Sequence, residues 1–217
     1  MKKQRLSTTQ LTILGLMTAI LLLMSYTPLG YLNIGPLAIT FNVIPVAIAA
    51  ITCGPVGGLI VGSVFGLTSF GQCIGIGGVS GMGATLFAIN PFLAFIQRFI
   101  PRALDGFLLG YIFKGLYNKT GKLAISAAVT GFCSAFLNTV FFMSSLVLLF
   151  GNTEYVQGLI DGRNVIVFIC AFVGINAVCE MISSTILTNV IALALNRAHL
   201  LFRDENKAVK KDLAVEN

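Results

Sequence analysis

The stretch "LAITFNVIPVAIAAITCGPVGGLIVGSVFGLTSF", residues 37–70, carries no charged side chain. It is broken in one place, by "CGPVGG" at 53–58, a dense turn signal. The sequence therefore predicts two apolar helices, 37–53 and 55–73, folded against each other as a tight hairpin. The first is near the lower limit of about 17 residues for a membrane span. Beyond the break, glycine recurs every four residues, at Gly54, Gly58, Gly62 and Gly66. On a helix these share a face where another backbone can approach closely. Two uses of that face stand: packing inside this subunit, or sliding on a partner.

The rest of the chain has the same character. It holds 217 residues, 56% hydrophobic and only 10% charged, with mean hydropathy +0.91. A soluble domain carries about 25% charged residues, so this composition cannot cover a water-facing surface and places the chain in a membrane. Six apolar segments can be drawn, at 8–28, 37–53, 55–73, 91–113, 123–150 and 164–195. The expected fold is an all-α bundle of six transmembrane helices over residues 1–200, followed by a mobile charged tail at 201–217. Of the fourteen Lys and Arg, eleven flank the first span, the connection between spans four and five, or the end of span six. With six spans these regions share one side, and the positive-inside rule makes that side, and both termini, cytoplasmic. The net charge of +6 is thus a matter of topology, with no nucleic-acid partner implied. "MKKQRL" ahead of an apolar run imitates a secretory signal, but no small-residue cleavage site follows it, so the first span is read as retained.

The polar residues inside the spans carry the functional argument. "RFIPRALDGF", residues 98–107, places Arg98, Arg102 and Asp105 in a span, where each charge costs about 3 kcal/mol at mid-bilayer. On a helix the three share a face. Pro101 in the same turn is expected to kink the helix. One arginine can pair with Asp105, leaving a guanidinium for an anion, since its fork matches a carboxylate. The alternative is an interfacial arginine pair snorkelling to head groups, with Arg102 and Asp105 as a structural tie. Span six carries Asn176, Glu180, Ser183 and Ser184 on one stripe, and span five carries Ser134, Asn138 and Ser145. Glu180, the deepest acid, can accept from a ligand, pair with an arginine or carry a proton. For Asn138 and Asn176, hydrogen bonding between helices is the competing role. Asn42, Gln72 and Asn90 fall at the outer ends of spans, as pocket-mouth residues or as helix caps. A second small-residue ladder, Ala127, Gly131, Ala135 and Thr139, lies in span five.

The outer connections at 28–42 and 71–91 are apolar and glycine-rich, which suits a lid over a ligand. The polar set is small and skewed to the outer side, as expected of a pocket for one amphiphilic molecule. No GxxxxGK[ST] or HExxH occurs, so the chain has no nucleotide loop of its own and no zinc-protease signature. The one histidine, His199, sits at the cytoplasmic end of the last span. The five cysteines show no metal-binding spacing and are read as buried free thiols. No catalytic constellation, metal site or cofactor is expected. The competing class is a stand-alone carrier using Glu180 for ion coupling.

Residues 37–70, with "AINP" at 88–91 and "IPRALDGFLLGYIFKGL" at 100–116, resemble the substrate-binding S components of energy-coupling factor (ECF) vitamin transporters. The likeness includes GP-x-x-G-x-x-x-G-x-x-x-G, from Gly54 to Gly66. It implies a high-affinity vitamin-capture subunit in the bacterial cytoplasmic membrane, not an enzyme. A membrane T component and two cytoplasmic ATPases are then the partners that power transport. The family's small-x-x-x-small docking motif matches Gly15 and Ala19 in "GLMTA". Within the family, "FNVIPVAIAAI" and "IPRALDG" look most like pantothenate-type members, with riboflavin or another vitamin as the alternative. Pantothenate has a carboxylate, two hydroxyls and an amide. Arg98 or Arg102 would take the carboxylate, and Asn138, Asn176 and Glu180 the polar remainder.

Overall fold

The computed structural model describes residues 7–27, 30–34, 37–78, 80–198 and 201. The expected tail and His199 lie outside the described residues, apart from Leu201. Among the described residues the order is α1 (Thr8–Tyr26), β1 (Tyr31–Ile34), β2 (Leu37–Thr40) and α2 (Val43–Gly71), then a 3-10 turn at Gln72–Ile74. There follow α3 (Gly81–Ile89), α4 (Pro91–Thr120), α5 (Leu123–Phe150), α6 (Glu154–Ile160) and α7 (Val165–Arg197). Among the described residues, four helical stretches are long and apolar enough to cross a membrane: Thr8–Tyr26, Val43–Ile74 (broken at Gly54), Leu123–Phe150 and Asn176–Arg197. The long α4 differs in carrying Arg98, Arg102, Asp105, Lys114 and Lys119.

The reversal expected at "CGPVGG" is present inside α2. Gly54 has φ 68° and ψ −163°, a conformation essentially reserved for glycine. A Cβ at Gly57 would run into Cys53 and the Ala49 carbonyl, and one at Gly58 into the Ala50 methyl. In a straight helix residues 49 and 57 would stand about 12 Å apart. Their contact makes α2 two antiparallel arms, 43–53 and 55–71.

The sequence expectation needs one correction here. The first arm is helical only from Val43, so it rises roughly 16 Å, about half of a 30 Å hydrocarbon core. Residues 37–40, expected to be helix, instead pair antiparallel with 31–34, Tyr31 opposite Thr40 and Ile34 opposite Leu37. The Phe41 N–H donates to the Gly30 carbonyl at 3.0 Å and closes the base of this hairpin. The fold is therefore not purely α. Ten residues between Gly30 and Phe41 are too few for a helix with a turn, and strand pairing satisfies their backbone groups within the segment itself.

The glycine ladder packs within the molecule. Gly58 lies against Gly106, Gly62 against the Arg102 carbonyl and Gly66 against Phe99, while Gly110 lies against Pro55. The second arm of α2 thus runs antiparallel to α4 with backbones nearly touching. A Cβ at Gly131, in the α5 ladder, would meet the Ser184 carbonyl and the Thr188 side chain at 2.5 and 2.9 Å, which ties α5 to α7. One core joins Leu14, Met17 and Leu21 of α1 to the first arm of α2, and includes Phe65 and Leu109. A second, on Met143, Leu146 and Phe150, holds α3 and α6 against α5 and α7. The pocket lies between these two cores.

Candidate functional site

α4 runs through Pro101 as one helix and turns its charged stripe inward. Arg98 and Arg102 are only 6% and 7% exposed, and Asp105 2%. Snorkelling to head groups is thereby ruled out for both arginines. The close approach at Gly62 presses the Arg102 turn against α2, and the Arg102 guanidinium stacks over Phe65 at 4.7 Å from the ring centroid. Phe142 of α5 receives both arginines, Arg98 at 5.1 Å and Arg102 at 5.2 Å. Cation–π contacts of this kind gain strength when desolvated. Arg102 Nη1 also donates to the Arg98 carbonyl at 2.9 Å. Arg98 Nη2 reaches Ser80 Oγ at 3.5 Å. Ser80 is the N-cap of α3 and accepts from the Gly83 N–H. Arg98 is the arginine on the α3 side, beside backbone N–H groups that favour an anion.

These side chains border a cavity of about 160 Å³. That is space for roughly ten water-sized spheres, enough for a small polar molecule. α2 contributes Phe65 and Ser69, α4 the two arginines, α5 Asn138, Thr139 and Phe142, and α7 Asn176 and Glu180. Thr40 and Ser80 close it from the outer hairpin and the start of α3. Asn138 is 6% exposed, and its Oδ1 has no hydrogen-bond partner among the described residues. Glu180 Oε1 accepts the backbone N–H of Thr40 at 2.6 Å, which joins the hairpin to the middle of α7.

Of the eight residues expected from sequence, the structure brings six to one cavity: Arg98, Arg102, Asn138, Asn176, Glu180 and Gln72. Gln72 also donates from Nε2 to the Ser25 carbonyl at 2.9 Å, tying the second arm of α2 to α1. Asn90 and Asn42 stand apart from the wall. Asn90 caps α4, accepting from the N–H groups of Phe92 and Leu93 at 3.1 Å. Asn42 is fully buried at the start of α2, and its N–H donates to Thr40 Oγ1 at 3.3 Å. Sequence reasoning missed Thr40, Ser80, Phe65 and Phe142. Phe142 had a usable signal, one turn beyond Asn138 on the same stripe. Thr40 had none, since a helix reading of 37–53 points it elsewhere. On α1, Gly15 and Ala19 lie on the exposed face, and nothing stands within 4 Å of a Cβ built at Gly15.

Comparison with known proteins adds three findings. The family model described as "ECF transporter, substrate-specific component" matches residues 9–192. A pantothenic acid transporter, PanT, of Lactococcus lactis subsp. cremoris (strain MG1363) is 29% identical over 216 residues, covering 91% of this chain and 98% of that protein. The pantothenate transporter PanT of Leuconostoc mesenteroides subsp. mesenteroides is 33% identical over 172 residues, covering 77% and 79%.

Proposed function

Because the chain belongs to the substrate-specific components of ECF transporters, we propose that it captures pantothenate from the outer side of a bacterial cytoplasmic membrane. Members of this family work with a membrane T component and ATPase modules. The chain is a transporter subunit, not an enzyme. The names of two relatives point to the vitamin. The observation that carries the reading is the pair of buried guanidiniums at a cavity shared by α2, α4, α5 and α7. A carboxylate placed beside Arg98 would meet a planar fork, the Ser80 hydroxyl and the start of α3 together. The hydroxyls and amide of pantothenate would then reach Asn138, Asn176 and Glu180. A flavin fits less well: the cavity is small, and Phe65 and Phe142 are each already stacked with an arginine.

In this reading the chain crosses the membrane six times. Passage two is completed by the β1–β2 hairpin above the short arm of α2, and both termini lie on the cytoplasmic side. Gly15 and Ala19 form the docking stripe for the T component. The T component comes with two cytoplasmic ATPases. The test is isothermal titration of the purified, detergent-solubilised chain with pantothenate and with riboflavin, with mass spectrometry of any small molecule it retains. Stoichiometric pantothenate binding supports the proposal. Tight riboflavin binding with none of pantothenate would replace the vitamin.

A further inference from the structure

Glu180 divides its carboxylate between two tasks. Oε1 is held by the Thr40 N–H at 2.6 Å, and the residue is at the same time part of the cavity wall. A carboxylate ionised in this position only accepts hydrogen bonds. With one oxygen bound to the hairpin, the rest of the carboxylate is left to the cavity. On α5, Asn138 Oδ1 is a second buried acceptor in the cavity wall, without a partner among the described residues. Arg98 occupies the α3 side with Ser80.

We propose that Glu180 is a specificity-determining residue that requires hydrogen-bond donors on the end of the cargo away from its carboxylate. It acts together with Asn138 and is positioned by Thr40. A buried acceptor facing a ligand that offers no donor is left unsatisfied, and a second anionic group would meet like charge. The site therefore selects a monocarboxylate carrying hydroxyl or amide N–H groups, and rejects dicarboxylates and plain aliphatic acids. Because the hairpin shares the carboxylate, the same contact sets how firmly β2 closes on an occupied pocket. The inference rests on the pantothenate reading for its probe, but not for its structural half.

The test compares pantothenate with an analogue whose two hydroxyls are replaced by hydrogen, by titration calorimetry on the full chain. The wild-type protein should prefer pantothenate by about tenfold or more. In Glu180→Ala that preference should collapse toward unity, while a preference for pantothenate over its alcohol counterpart, pantothenol, persists because the arginines are intact. An unchanged hydroxyl preference in Glu180→Ala overturns the proposal. Hydrogen exchange of the peptide covering residues 31–42 tests the positioning without any ligand. Exchange should quicken in Glu180→Ala and equally in Thr40→Pro, which removes the donor, with no further gain in the double variant. Additive effects, or no change, overturn the positioning role. If the wild-type chain binds neither probe, the vitamin reading falls, and the exchange measurement alone decides the role of Glu180.

Discussion

At the scale of single residues, the arginines divide their work by neighbour. Arg102 is sandwiched by Phe65 and Phe142, so it helps to organise the cavity wall. Arg98 faces Ser80 and the first turn of α3. Arg98→Ala should therefore weaken pantothenate binding by about tenfold to a hundredfold, the range of a lost charge-assisted hydrogen bond, with helical circular dichroism unchanged. Arg102→Lys should weaken binding too, although the charge is kept, because a lysine ammonium loses the planar stacking on two rings. Titration calorimetry on both variants reads this difference. The arginines were legible in the sequence because a charge in an apolar span needs a reason. Phe65 and Phe142 were not, since phenylalanine in an apolar helix has no signature that separates packing from stacking under a cation.

At the scale of elements, the second arm of α2 and α4 pack backbone against backbone. Gly62→Leu inserts a side chain where the Arg102 carbonyl now sits, and α4 has to move outward. Ligand affinity should fall even though residue 62 is not on the cavity wall, and the melting midpoint should drop with it. At Gly54, an alanine forced into φ 68° carries about 1–3 kcal/mol of backbone strain, so Gly54→Ala should lower the melting midpoint in differential scanning fluorimetry. The hairpin at 53–58 was readable from Gly and Pro alone, and the ladder of glycines foretold a close backbone approach. What escaped was the short pair of strands at 31–40. Their uncharged residues fit a helix extension as well as a strand, and the pairing is anchored by contacts made only in the folded chain, among them the bond from Thr40 to Glu180, 140 positions apart. Asn90 shows the opposite limit: a polar residue beside an apolar helix served local capping, a role its sequence context shares with a pocket mouth.

At the scale of the whole molecule, the cavity and the proposed docking stripe lie on different faces. The cavity opens among α2, α4, α5 and α7, whereas Gly15 and Ala19 lie on the outer side of α1, with open space at Gly15. Gly15→Trp should leave pantothenate affinity within about twofold, as expected for a site that shares no partners with the pocket. The same change should abolish co-purification with the T component and ATPases. Reconstituted alone in vesicles, the chain should bind vitamin but not accumulate it, under a proton gradient or with ATP.

The backbone contact between Gly58 and Gly106 has one more consequence. Because α4 lies on α2 with no side chain between them there, the arginines are mounted on a stationary jaw, charged and aimed before any cargo arrives. The opposite jaw, the hairpin, is fastened to α7 at Thr40 and Glu180. On the proposed reading, the field of the fixed arginines governs arrival, and the Thr40–Glu180 fastening governs residence. Added salt should slow association by screening that field, while the rate of escape stays the same until the fastening itself is cut.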